Sequence, residues 1–416
     1  MTVTPMVQAP MALPSILTPS DASLSQTHAT GLKLTCKQPD LARGLSIVSR
    51  AVLAHSTRPI LANILLATEG GRLRLSATTL EIGIQVWIDA QIEREGITAV
   101  PADVLTKMVS LLPHETVVCS VAHGSQTLCL QCAGSISHLR GQDPREFPVI
   151  PGGESELQAP SCEIEAGLLK SMIEHVAFAA DTNDSKPALT AVFTQIAGGT
   201  LTFAAANTFR LTERIAPLPG GGESQVLIPA RNLMELSRIL PSQGGVRVIV
   251  TPQQNQVVFH CEEGERIDFV SRLIAGAYPA YQRSIPREFT TRAVVETRQF
   301  VAAVGQASVF ARDDLKTVRV TLKPGEQSRP TGTLTVEADD ATMGDHTATV
   351  AATVSGPQRS LIFPVKYLAE ALFHMETPQV VFSVLDPGKP AVLKPMGDIQ
   401  YISMLMSAQE KKALQA

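Results

Sequence analysis

Cys129 and Cys132 stand three apart, the spacing that most often marks a redox or metal-binding pair. They lie in Thr127-Leu-Cys-Leu-Gln-Cys, which reads as a strand, so alternation turns the two thiols to opposite faces. No second Cys/His pair at zinc spacing follows, and half-buried core thiols are the simpler reading. His114-Glu-Thr-Val-Val opens like a zinc-protease helix but lacks its second histidine. Gly220-Gly-Gly-Glu-Ser has neither the lysine nor the spacing of a phosphate loop and follows Pro217 and Pro219, so it reads as a surface turn. There is no G-x-S-x-G, and the nine histidines include no i, i+4 pair. Asn183-Asp-Ser fits a glycosylation sequon, which means nothing in a cytoplasmic chain. The expectation is a non-enzyme with no metal and no cofactor.

Binding chemistry is carried by basic residues at helical spacing. Arg43 and Arg50 lie opposite an apolar stripe of Leu41, Leu45, Val48 and Val52, and Arg231 and Arg238 repeat the arrangement. Lys107, Lys170, Arg298 and Lys366 also fall on polar faces, against Asp103, Glu174, Glu235 and Glu370. A solvated face explains any one helix. A basic excess on the helices of a chain with net charge −4 favours a surface that faces phosphates, through sequence-independent and salt-sensitive contacts.

The elements that must present these faces recur. Val100-Pro-Ala-Asp-Val-Leu-Thr-Lys-Met-Val-Ser-Leu-Leu-Pro, Ile228-Pro-Ala-Arg-Asn-Leu-Met-Glu-Leu-Ser-Arg-Ile-Leu-Pro and Phe363-Pro-Val-Lys-Tyr-Leu-Ala-Glu-Ala-Leu-Phe share one pattern. Their prolines, Pro101, Pro229 and Pro364, are 128 and 135 residues apart (229 − 101 and 364 − 229). Each is placed in the first turn of a helix, whose apolar positions are Leu105, Met108, Leu112; Leu233, Leu236, Leu240; and Leu368, Ala371, Leu372. A second helix recurs at Leu41–Leu53, Gly167–Ala179 and Arg298–Phe310, each followed by β alternation. Phe147-Pro-Val-Ile-Pro and Tyr278-Pro-Ala-Tyr read as linkers.

With 416 residues, 44% of them hydrophobic, the chain can build several cores. The repeats divide it into a disordered tail at 1–30, domains at 31–151, 160–285 and 286–408, and an extension at 409–416. The tail carries Pro at 5, 10, 14 and 19 and no Lys or Arg, so it resembles neither an export signal nor a transit peptide. Aromatics at 4% are too few for a protein that grips single strands by stacking, and no run is apolar for the roughly 20 residues of a membrane helix. Six cysteines in so long a chain predict reduced thiols in the cytoplasm. The fold class is α+β, with helices on one face of antiparallel sheet; three equal units suggest an arc able to close into a ring.

Leu45–Leu65 ending in Ser56-Thr-Arg-Pro-Ile-Leu-Ala-Asn-Ile-Leu, then Ala77-Thr-Thr-Leu-Glu-Ile and Glu146-Phe-Pro, resembles the first domain of the bacterial DNA polymerase III β subunit, the sliding-clamp family. The likeness continues through Tyr278-Pro-Ala-Tyr, Tyr367-Leu-Ala-Glu-Ala-Leu and Tyr401-Ile-Ser-Met-Leu-Met and covers about residues 31–406. The resemblance implies a head-to-tail homodimer of three clamp domains per chain, with helices lining a hole and sheets outside. Such a ring holds duplex DNA, is opened by a clamp-loader ATPase, and tethers the polymerase III α subunit and other proteins that carry a clamp-binding motif.

The resemblance also implies site residues. The partner pocket takes Leu189; the run Ala206, Asn207, Thr208, Phe209, Arg210 and Leu211; Pro279, Arg283 and Ser284; Leu315, Pro364, Tyr367 and Pro390; and Ile402, Ser403, Met404, Leu405 and Met406. His55 and Asn183 fall on loops at the rim of the hole. Leu139 lies on one side of the dimer interface, Val309 and Phe310 on the other. The family's Asp-Gly-His within the run is Asn-Thr-Phe here, Pro364 replaces an asparagine, and Leu405 replaces a proline between the last methionines. These departures bear on peptide preference rather than on fold. The alternative is a divergent accessory or structural ring of the same fold.

Overall fold

The computed structural model describes residues 31–152, 161–220, 222–251, 253, 255–262, 264, 266–311, 316–326, 331–340 and 342–408. The expected tail at 1–30 and extension at 409–416 lie outside them. The chain divides into two compact units, residues 1–151 and 152–416.

The first unit contains β1 (Leu32–Lys37), α1 (Gln38–Val48), β2 (Asn63–Glu69), β3 (Arg72–Thr78), β4 (Ile82–Asp89), β5 (Gln91–Arg94), β6 (Ile97–Pro101), α2 (Ala102–Leu111), β7 (Thr116–Val121), β8 (Thr127–Cys132) and β9 (Ser135–Arg140). Its strands pair in the orders β5-β1-β7-β8-β9 and β4-β3-β2-β6, antiparallel throughout. The two helices pack together, and α1 lies on β3 and β4.

The second unit repeats this twice. Its first half has β10 (Ser161–Glu165), α3 (Ala166–Val176), β11 (Ala191–Ala197), β12 (Thr200–Ala206), β13 (Arg210–Pro217), β14 (Ser224–Pro229), α4 (Ala230–Ile239), β15 (Gly245–Val250), β16 (Gln256–Cys261) and β17 (Arg266–Arg272). Its second half has β18 (Thr291–Glu296), α5 (Thr297–Ala307), β19 (Thr317–Lys323), β20 (Gly332–Asp340), β21 (Gly344–Ser355), β22 (Arg359–Pro364), α6 (Val365–Phe373), β23 (Gln379–Val384), β24 (Pro390–Pro395) and β25 (Tyr401–Met406). The strands β10-β15-β16-β17 pair in that order. A continuous sheet of 12 runs β14-β11-β12-β13-β25-β24-β23-β18-β21-β20-β19-β22 and joins the two halves at β13·β25. In the last repeat the rings of Phe300 and Phe363 each lie 5.8 Å from that of Phe382 and anchor the core beneath α5 and α6.

Local physics sets the helix ends. Pro101, Pro229 and Pro364 end a strand and serve as N-caps, one position before the expected first turn, because φ near −55° suits either role. The expected helix 41–53 begins at Gln38 and stops at Val48; a 3-10 turn over Ser49–Ala51 follows, so Arg50 lies beyond the α-helix and Val52 is only half-buried. The expected helix 167–179 likewise ends at Val176 and passes into a 3-10 turn, and 298–310 ends at Ala307. In α2 the buried stripe is Ala102, Leu105 and Val109, while Met108 and Leu112 are half-buried. Glu165 caps α3, its carboxylate accepting from Gly167 N at 2.9 Å and Leu168 N at 2.6 Å.

The expected linkers are partly packed. Phe147 joins Ile60, Leu61, Leu65 and Ala99 in a buried cluster, and Tyr281 is buried beside Phe193 and Tyr278. In β8 Cys132 shares the buried face with Leu128 and Leu130, while Cys129 turns to the other face, as alternation requires. Burial raises the Cys132 and Cys162 thiols and pushes Cys261 up to about 12, so these thiols resist ionisation.

Candidate functional site

The hairpin β12–β13 and the strand β25 bring distant stretches into one place. The register sets Arg210 opposite Leu405, Leu211 opposite Met404, Thr212 opposite Ser403 and Glu213 opposite Ile402. Alternation then sorts them. Leu211, Ile402 and Met404 join Ala206, Phe193 and Tyr281 in one apolar cluster, whereas Tyr401 and Leu405 enter the core of the last repeat. Ser403 and Leu405 are therefore turned away from the face that holds Met404. Within the cluster Leu211 and Met404 are buried, and the accessible apolar rim is Ile402 with half-buried Met406 on the same strand. The Tyr281 hydroxyl donates to Glu213 at 2.6 Å, and burial plus that carboxylate raise the phenol far above its ordinary value.

The other pocket residues are distributed around this strand pair. Leu189 lies in a 3-10 turn, Pro187–Thr190, and is half-buried. Thr208, Pro279, Arg283 and Ser284 are exposed, and Pro364, Tyr367 and Pro390 are half-buried. Leu315 lies outside the described residues.

Arg210 holds the hairpin to two helices. Its guanidinium donates to a Glu370 carboxylate oxygen and to the Phe178 carbonyl, and sits 4.7 Å from the Tyr367 ring centroid and 5.1 Å from that of Phe178. A buried charge satisfied on this scale fixes geometry; removing either partner leaves an ion unpaired. Next to it His175 and His374 stand 6.0 Å apart, with His374 stacked on Phe178 at 4.4 Å. Burial, and then the neighbouring histidine, push His374 down to about 4. Burial also lowers His175, against the opposing pull of Glu376.

The basic residues of the helices are mostly exposed. Arg43, Lys107, Arg231, Arg238, Arg298 and Lys366 reach solvent, as do Arg50, His55 and Asn183 outside the α-helices; Lys170 is half-buried. The basic excess is smaller than composition suggested, because Arg43 pairs with Asp40, Lys107 with Asp103 and Arg238 with Glu235. Exposed pairs at this spacing contribute only about 0.2–0.5 kcal/mol each, so a phosphate can displace the carboxylate.

Each unit also has an open stretch of strand edge. β9 ends its sheet, and Leu139 on it faces Leu128 in the unit's own core, only 5% exposed; the apolar side chain that β9 presents outward is Ile136, 60% exposed. In the last repeat Val309 is 53% exposed, while Phe310 packs on the core and stacks on His346 at 5.7 Å. Among the described residues, positions 344–351 of β21 have a ladder partner only in β20.

The three repeats match three known domain families in chain order: the N-terminal domain of the DNA polymerase III beta subunit over residues 32–151, its central domain over 163–280 and its C-terminal domain over 282–409. The chain belongs to the DNA polymerase III beta subunit family. The beta sliding clamp of Synechococcus elongatus is 32% identical over 385 residues, covering 91% of this chain and 99% of its own. That of Bacillus subtilis is 26% identical over 388 residues, covering 90% and 99%. The crystal structure of the Bacillus subtilis sliding clamp superposes with a TM-score of 0.85 at 25% identity, over 91% of this chain and all of that one. The three repeats are thus three clamp domains, with two helices in each.

Within this clamp fold, sequence reasoning missed Phe178, Glu370 and Tyr281 as partners of the pocket residues. Glu370 had a signal, a lone acid on a basic helix face, but its partner stands 160 residues away and only the fold joins them. Among the described residues no group of three or more His, Cys, Asp or Glu could hold a metal ion, and no helix is long and apolar enough to cross a membrane.

Proposed function

We propose that two copies of this chain close head to tail into a ring that encircles duplex DNA and tethers the replicative polymerase and other partners in the cytoplasm, without catalysing a reaction. The observation that carries this reading is the pairing of β13 with β25, five residue pairs that join one clamp domain to the next by their outer strands. The threefold repeat puts β21 in the place of β13 and β9 in the place of β25, so the chain ends in two matching edges. Exposed strand edges invite pairing, and a head-to-tail contact that closes generates a ring. The domains assigned to 31–151, 160–285 and 286–408 then supply twelve helices to the ring, with Arg43, Arg50, Lys107, Lys170, Arg231, Arg238, Arg298 and Lys366 toward the phosphates. The polymerase α subunit, the clamp loader and other motif-bearing proteins use the groove beside β25. A short peptide with a glutamine followed by leucine or phenylalanine is the expected ligand, at about 8 kcal/mol, the micromolar scale.

The dimer test uses exposed positions. The double substitution Ile136→Lys with Val309→Lys places charge on β9 and on the turn after α5, where the neighbouring Phe310 stacks on His346 of β21, and should give a folded monomer by sedimentation. A dimer of unchanged affinity contradicts the edge assignment. Phe310→Ala is less informative, because that ring also supports its own domain.

A further inference from the structure

We propose that residues 409–416 fold back over the face of β19 and β22 that carries Arg319 and Ile362, as the linkers cover the equivalent strands of the other two repeats, with Leu414 against Ile362 and Glu410 toward Arg319. The inference concerns this chain's own segment and rests on neither the ring reading nor the groove reading.

One hydrogen bond recurs in all three repeats. Gln142 N donates to Ala99 O, Ile274 N to Leu227 O and Ala408 N to Ile362 O, each at 2.8 Å. The three acceptors are equivalent, for each stands two residues before the proline that caps the next helix, Pro101, Pro229 or Pro364. They lie on β6, β14 and β22, each of which ends its sheet and so offers a free edge for a covering segment. Each acceptor also faces the same position of its repeat on the neighbouring strand. Ala99 is opposite Leu65, Leu227 opposite Phe193 and Ile362 opposite Arg319.

In the first two repeats the chain beyond this bond covers that pair. After Gln142 it turns at Asp143 and gathers Phe147 with Leu65 and Ala99. After Ile274 it sets Tyr278 and Tyr281 beside Phe193, at 5.5 and 5.8 Å between ring centroids, in a cluster with Leu227. The covering rings come 5 residues after the bond in one repeat (147 − 142) and 4 and 7 after it in the other (278 − 274 and 281 − 274). In the third repeat the pair to be covered is half-buried Arg319 and half-buried Ile362. The segment Gln409-Glu-Lys-Lys-Ala-Leu-Gln-Ala416 holds one acid, Glu410, and one large aliphatic side chain, Leu414, 6 residues after the bond (414 − 408). A carboxylate suits an arginine where the other repeats have leucine and phenylalanine, and a leucine suits Ile362. Six residues span up to about 20 Å, and neighbouring strands lie about 4.8 Å apart, so both contacts are within reach. The starting direction is set by Ser407, whose hydroxyl donates to Lys389 O and accepts from Gly388 N, both at 2.9 Å, and by the bridge of Ala408 to Ile362. The segment therefore leaves β25 on the side of β22.

The test places the photo-crosslinking residue p-benzoylphenylalanine at position 414 of the full chain and maps its adducts by mass spectrometry, in an equal mixture of isotopically light and heavy chains. Adducts should join position 414 to residues 317–323 or 359–364 of the same copy. Adducts to residues 206–211 or 402–406, adducts that join two copies, or no adduct at all overturn the inference. Hydrogen exchange gives an independent readout. The backbone amides of residues 359–364 should exchange about tenfold faster in a chain ending at Ala408 and in Leu414→Asp than in the parent, while Leu414→Met exchanges as the parent does. Equal exchange in the parent, the shortened chain and Leu414→Asp overturns the inference.

Discussion

Met404 and Met406 lie two apart on one strand face and do different work. Met404 is buried between Leu211 and Val392, while Met406 is half-buried at the strand end. Met404→Ala should cost about 2–5 kcal/mol in urea unfolding, the usual range for a buried methionine. Met406→Ala should leave stability within about 0.5 kcal/mol and lower peptide affinity. His374 makes a separate prediction. Its depressed value means the folded chain binds fewer protons than the unfolded chain between about 4 and 6.5, so its contribution is complete above 6.5 and lost as pH falls toward 4. The groups facing the His175–His374 pair are Glu174, Glu370, Glu376, Arg210, Arg214 and Tyr401. His260 runs the other way: hydrogen bonding to Asp268 raises it, and its contribution is lost as pH rises. The measurement is therefore a difference. Melting of His374→Phe should fall less than that of the parent between pH 6.5 and 4.5, and equal slopes contradict the assignment. At this scale the sequence shows which residue types are present but not which face they take. Ser403 and Leu405 could be told from Met404 only once the register was known, and Arg210 from a surface arginine only once Glu370 was beside it.

At the scale of elements, the helices present their basic residues as the 3.6-residue period requires, even where their ends shift. The legible part is the apolar stripe, because burial against a sheet demands it: Leu233, Leu236 and Leu240 are all buried. The ends are less legible, since a 3-10 turn such as Ser49–Ala51 continues the direction of a helix with the same residue types. Arg50 keeps its exposure there. Changing Arg43, Arg50, Arg231 and Arg238 to Gln should leave the melt nearly unchanged and reduce the salt dependence of DNA binding by up to about four charges per chain. An unchanged salt slope places the phosphates elsewhere.

At the scale of the whole molecule, the repeat was the most legible feature. Pro101, Pro229 and Pro364 mark equivalent strand–helix junctions because each junction needs a cap whose φ is already fixed and which gives up no hydrogen bond. The pairing of outer strands was not legible, because β13 and β25 have ordinary strand sequences and nothing in either names its neighbour. That pairing is the basis of the encirclement claim. The most direct test compares the release of the assembled clamp from a nicked circular plasmid and from the same plasmid linearised, both after loading and in high salt. A ring topologically linked to DNA stays on the circle, because release then requires opening an interface, and slides off the linear ends within the measurement. Equal loss from both, following salt alone, contradicts encirclement and leaves ordinary phosphate binding as the account.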